Sequence, residues 1–106
     1  MNFSMKKDEI FKAIVSATVN ETGVTFDIVK TKSKVSEVVD ARYILVKLLF
    51  SAGFYPFEIS SMVNITRRSV NHILTNFESR KQYGKMLRNN YEQIRKFLRN
   101  NNFDIL

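Results

Sequence analysis

The sequence has no cysteine, one histidine, one proline and three glycines. Each scarcity excludes something. Without Cys there is no disulfide and no thiolate metal site, and the composition is compatible with a reducing compartment. A zinc site needs several convergent ligands, and His72 has no evident companions. A serine nucleophile would have that same imidazole as its one candidate base. The carboxylates are not clustered. A non-enzymatic protein with neither metal nor cofactor is therefore expected. The shortage of Pro and Gly favours long helices over a fold of many turns. No apolar run reaches the length of a membrane span: residues 43–50 are strongly apolar but short, and they contain Lys47. The opening MNFSMKKDEIF has charge but no apolar core followed by small residues. No secretory signal is expected, and the chain reads as cytoplasmic.

The 106 residues suit one domain spanning 1–106, and an apolar content of 44% suits a folded one. The net charge of +7 is unevenly spread. Residues 1–66 hold eight Lys/Arg and seven Asp/Glu, whereas residues 67–106 hold nine and three. The basic excess thus begins at Arg67 and runs to the C-terminal side. Such a field attracts polyphosphate backbones, and also acidic membranes or proteins.

At the start of that excess lies EISSMVNITRRSVNHIL, residues 58–74. It reads as a helix-turn-helix. Ile59, Met62 and Val63 give a first helix its inner side, and Ser60 is small where two helices must approach. Asn64 tolerates the left-handed backbone that a tight turn requires. Ile65 would plug the turn into the core, and Thr66 can cap the second helix. Val70, Ile73, Leu74 and Phe77 recur at helical spacing as its inner face. Outward remain Arg67, Arg68, Asn71, His72 and Thr75, donors and acceptors suited to base edges in a major groove. The hairpin is expected over about residues 56–80.

The rest of the chain predicts helices around this hairpin. A first runs from Ser4, its expected cap, to about Thr22, with Ile10, Ala13, Ile14 and Ala17 on one face, and Gly23 ends it. Residues 24–29 are one turn of helix capped by Thr25, or a short strand. KTKSKVS, residues 30–36, is a basic connection in which Lys32 and Lys34 are phosphate candidates or merely solvated. A long helix from about Val35 to Ala52 is apolar on most sides, as a central helix should be. Val38, Ala41, Leu45, Leu48, Leu49 and Ala52 form one face; Val39, Tyr43, Val46 and Phe50 form another. Arg42 interrupts it, either to pair with an acid one turn back or to reach phosphate. Pro56 suits a first helical position. A last, basic helix over about residues 81–100 carries the stripe Tyr83, Leu87, Tyr91, Ile94 and Leu98, with Glu92 placed to pair with Lys96. The tail NNNFDIL is expected to fray. The expected fold is all-α, five to six helices around a central long one.

The order of these pieces resembles the C-terminal DNA-binding domain of the bacterial replication initiator family, DnaA. Gly23-Val24-Thr25-Phe26-Asp27-Ile28 is similar to that family's first turn, and a basic loop follows in both. Glu37-Val38-Val39-Asp40-Ala41-Arg42 resembles the opening of its long helix. Glu58-Ile59 match its hairpin helix, and Val70 and His72 match the second half of its signature helix. The hairpin alone is also similar to that of LuxR-type regulators. The resemblance covers roughly residues 10–99. It implies a Trp-repressor-like fold, a signature helix in the major groove, and basic residues near DNA at the positions of Lys34 and Arg42. Where the family has its base-reading Asp-His pair, this chain has Thr66 and Arg67, and the preceding Gly-Arg is Asn64-Ile65. The groove-reading surface is thus rewritten. No phosphate loop of the G-x-x-x-x-G-K-[ST] type occurs in these residues, so an ATP-driven initiator is not expected.

The sequence therefore predicts binding of double-stranded DNA, in replication or transcription control and in association with the nucleoid. Arg67, Arg68, Asn71, His72 and Thr75 would contact bases. Lys32, Lys34, Arg42, Thr66 and Ser69 would contact phosphate, with capping as the competing role for Thr66 and Ser69. The rival class is a protein-interaction module that dimerises, or binds an acidic partner, through the last helix.

Overall fold

In a computed structural model, residues 6–103 are described, and they form six helices and no strand. These are α1 (Lys7–Thr22), α2 (Phe26–Val29), α3 (Ser36–Ser51), α4 (Pro56–Val63), α5 (Arg67–Tyr83) and α6 (Lys85–Asn100). Ser4 lies outside the described residues; α1 starts after Lys6, whose N–H donates to Glu9 Oε1 at 3.2 Å. Within residues 24–29 the single turn of helix forms rather than a strand: Thr25 Oγ1 accepts from the Ile28 N–H as the cap of α2, and Val29 is buried.

The apolar run of residues 43–50, interrupted only by Lys47, decides the place of α3. Ile44, Leu45, Val46, Leu48 and Leu49 are almost completely buried, and α3 packs against each of the other five helices. Phe50 departs from expectation and is half exposed, at the C-terminal end of the helix. There Gly53 takes φ +101°, a left-handed conformation that glycine adopts without strain. That turn lets the Phe54 N–H reach Leu49 O at 3.1 Å and drives the Phe54 side chain into the core.

α5 and α6 are separate helices, joined at Gly84. A side chain there is excluded by contact: a Cβ would lie 2.8 Å from Arg80 O, the carbonyl that accepts the Gly84 N–H. Leu87, Tyr91, Ile94 and Leu98 are buried against the domain, which takes that stripe away from an outside partner. Tyr83 is the exception at 81% exposure, because the break turns it off the α6 stripe. Burial raises the pKa of Tyr91, favouring the neutral phenol. Glu92 pairs with Arg95 at 3.6 Å rather than with Lys96.

The first part of the tail is tied down. Asn102 takes φ +70°, its N–H bonds Arg99 O, and the Phe103 N–H bonds Leu98 O at 2.8 Å. This is a Schellman closure of α6, and Phe103 packs on the core. Residues 104–106 lie outside the described residues. No helix among the described residues is long and apolar enough to cross a membrane.

Candidate nucleic-acid interface

The α4–α5 hairpin is built as its residues dictate. Pro56 occupies the first turn of α4, and Glu58 Oε1 accepts the Tyr55 N–H at 2.7 Å. Lys7 Nζ lies 3.2 Å from the same carboxylate, so α1 is fastened to the start of the hairpin. Those two bonds, the backbone one first, hold the Glu58 pKa below its ordinary value. Asn64 adopts φ 61°, ψ 45°, and the Ile65 N–H returns to Ser60 O at 3.1 Å. Ile65 is half-buried against the core. Thr66 Oγ1 then accepts the Ser69 N–H at 3.0 Å and donates to Ser69 Oγ. Its capping role is thereby observed, and it leaves the Ser69 hydroxyl hydrogen free.

Val70, Ile73 and Phe77 are buried, and Phe77 meets Tyr91 edge-on at 4.8 Å. With its inner side fixed, the helical repeat turns the opposite side to solvent. Arg67, Arg68, Asn71, His72 and Thr75 are all exposed on it. The arginines are the informative pair. Lys7, Lys30, Arg80, Lys81 and Arg95 each have a carboxylate within 4.0 Å. Among the described residues Arg67 and Arg68 have none, and neither do Lys32 and Lys34, a state shared with Lys12, Lys47, Lys85, Arg88, Lys96 and Arg99; what sets the two arginines apart is their place together at the exposed start of α5.

A cleft of about 870 Å³ separates the 31–34 loop from α5. Lys32 and Lys34 line one side, and Arg68, Ser69 and His72 line the other. Asn64, Ile65 and Thr66 border it at the turn, while Val39, Tyr43 and Ile73 add apolar wall. Arg67, Asn71 and Thr75 do not line it; they lie further round the exposed side of α5. A second opening of about 420 Å³ lies beside it, between α3 and the later turns of α5. His72 and Tyr43 line both. Asn76 Nδ2 lies 3.3 Å from His72 Nδ1 and donates to the His72 carbonyl at 2.8 Å. This fixes the exposed imidazole on the ridge between the two openings.

Arg42 is held by backbone carbonyls and pairs with no acid one turn back. Expected to reach phosphate or pair with an acid, it lines the cleft but is buried to 9% exposure, its guanidinium bonded to the 29–33 backbone. Its Nε donates to Val29 O at 3.0 Å, and its terminal nitrogens donate to Thr31 O at 2.8 Å and Ser33 O at 3.3 Å. The physical reason is the preceding loop, whose carbonyls have no regular partner and face a fork of donors that suits them. Burial lowers the Arg42 pKa, yet an arginine stays protonated in such a site. No carboxylate among the described residues approaches it within 4.0 Å. Its charge is solvated by carbonyl dipoles and not neutralised, which adds to the positive field of the cleft.

Two contributors were not legible beforehand. The Asn64 side chain donates to Lys30 O at 3.3 Å, tying the hairpin turn to the basic loop. Asp40 binds Arg80, fastening α3 to α5. The Asn64 backbone could be anticipated from residue type, but its side-chain partner lies 34 positions away. No group of three or more His, Cys, Asp or Glu among the described residues could hold a metal ion. Compared with known proteins, the chain matches no family model, no curated protein and no solved structure.

Proposed function

We propose that this chain binds double-stranded DNA without catalysis, with α5 in the major groove and the 31–34 loop on the backbone beside it. One observation carries the reading. Arg67 and Arg68 open an exposed polar helix face without carboxylate partners, while the opposite face of the same helix is locked into the core. The cost of desolvating an arginine at a docked helix start is offset when it meets guanine edges or phosphate. In this reading Arg67, Arg68, Asn71, His72 and Thr75 contact bases. Lys32, Lys34 and the Ser69 hydroxyl contact phosphate, which sets the register in which bases are read. Thr66 supports them as the cap. The likeness in sequence to the initiator's DNA-binding domain favours a role in replication or transcription control, within the nucleoid.

The test is affinity for a labelled duplex at a series of salt concentrations. Each cation that neutralises a phosphate contributes about 0.9 to the slope of log affinity against log salt. Replacing Lys32 and Lys34 by Ala should reduce that slope by nearly two such increments. Arg67→Ala should lower affinity on a preferred site more than on random sequence. A shallow slope unaffected by these changes would overturn the reading.

A further inference from the structure

The 30–34 loop has little of its own to hold it in place. Thr31, Lys32 and Lys34 are exposed, and no large apolar side chain in it is buried. Its internal bonds are short-range: Thr31 Oγ1 donates to Ile28 O, and the Ser33 N–H donates to Thr31 Oγ1. A segment with so few buried contacts belongs to the low-stability end of a structure. Two side chains from outside it supply what it lacks. Arg42 in α3 reaches the carbonyls of Val29, Thr31 and Ser33, which are alternate residues, with one donor each. Asn64, in the turn of the hairpin, reaches the carbonyl of Lys30 between them. Four anchor points, at residues 29, 30, 31 and 33, thus come from the two elements that also place α5. Lys30 itself is turned aside, 3.8 Å from Asp27 and stacked over the Phe26 ring. Of the loop's own cations, Lys32 and Lys34 are left free at the rim of the cleft.

We infer that Arg42 and Asn64 form a clamp that fixes Lys32 and Lys34 at a set distance from α5, making Arg42 a positioning residue of the proposed DNA interface. The inference rests on the reading of that surface as a DNA contact. It gives a buried arginine a role through the loop it holds, without touching DNA. Two phosphate contacts made by a pre-ordered loop avoid the entropy of ordering it upon binding. Lysine cannot replace the arginine, because one ammonium cannot span three carbonyls in a plane.

The experiment uses Arg42→Lys, which leaves net charge unchanged, the Lys32→Ala/Lys34→Ala pair, and the combination of all three. Asn64→Gly provides an independent release of the clamp, since glycine keeps the left-handed turn. Affinity for a fluorescent mixed-sequence duplex is measured against sodium chloride concentration. The free proteins are also exposed to trypsin, which cuts after Lys32 and Lys34. Arg42→Lys should lower affinity about tenfold, the factor appropriate to losing a charge-assisted hydrogen bond. Its salt slope should fall toward that of the double variant, and the triple variant should lose little more. Asn64→Gly should act in the same direction to a smaller extent. Both single variants should be cut faster in the loop while keeping wild-type helix content. Wild-type affinity and slope in Arg42→Lys, or losses that multiply in the triple variant, would overturn the clamp. Should Arg42→Lys fail to fold, Asn64→Gly decides alone, by loop cleavage and slope. If the wild-type protein binds no duplex, the DNA reading fails and the inference with it, and the trypsin data then separately show whether Arg42 holds the loop.

Discussion

Arg80 meets one oxygen of Asp40 through two nitrogens, Nε and a terminal one, each at 2.8 Å. The two residues lie 40 positions apart, and the guanidinium also lies over the Tyr43 ring at 4.8 Å. The later turns of α5 are thereby fastened to α3, well away from the exposed arginines at its start. Asp40→Asn keeps the shape and removes the charge. It should lower stability by about 1 kcal/mol, between the value of an exposed pair and that of a buried one. Thermal unfolding checks this, and helix content in the folded state should not change. An unaltered melting temperature would show that Asp40 and Arg80 are only neighbours.

Gly84→Ala tests the junction between α5 and α6. The added carbon would meet the Arg80 carbonyl at 2.8 Å, a backbone atom that cannot rotate away. A loss of about 1–3 kcal/mol is expected, typical of an overpacked site, and urea unfolding measures it. Were this glycine present only to break the helix, alanine would be tolerated or stabilising.

Thr66→Ala should cost about 1 kcal/mol through loss of the cap, whereas Thr66→Ser should cost little. If both variants unfold as the wild type does, the bond to the Ser69 N–H contributes nothing measurable. Duplex binding by Thr66→Ser at wild-type affinity would be consistent with a supporting role in the interface.

The general lines of the fold were legible because they depend on residue type and spacing alone. The apolar run from Ile44 to Leu49 points to a central helix, and Asn64 to Thr66 have the residue types of a tight turn with a cap. The exposed face of α5 followed from Val70, Ile73 and Phe77 by subtraction. What escaped depends on partners distant in sequence. Arg42 looked like a surface cation because nothing in a linear pattern reveals that three loop carbonyls curl back over it. Residue type points to the backbone conformation of Asn64 but not to its hold on Lys30. Gly84 was a detectable signal: a lone glycine between two helical patterns marks a break, and it accounts for the misplaced Tyr83. Phe103 was assigned to a fraying tail because its burial depends on a left-handed asparagine, which composition does not reveal.

Glu58 should contribute to acid sensitivity. Its pKa is lowered by the Tyr55 backbone bond first and by Lys7 second. A carboxylate with a depressed folded-state pKa stabilises the fold above its unfolded value, about 4.3. That contribution is lost as the pH falls through the folded-state value. The melting temperature should therefore drop below about pH 4, and Glu58→Gln should flatten part of the drop. Added salt should weaken the Lys7 share, because the lysine is half exposed and the carboxylate partly so. An identical acid profile in Glu58→Gln would remove Glu58 from the account.

Selection from a random pool of duplexes tests most directly the proposal that α5 reads DNA. The protein would be incubated with the pool at low and at moderate salt, and the retained duplexes sequenced. Enrichment of one short motif, lost in Arg67→Ala while that variant keeps its wild-type melting temperature, is the predicted result. Retention without a motif would reduce the interface to a backbone binder and remove the base contacts assigned to α5. No retention even at low salt would contradict DNA binding altogether.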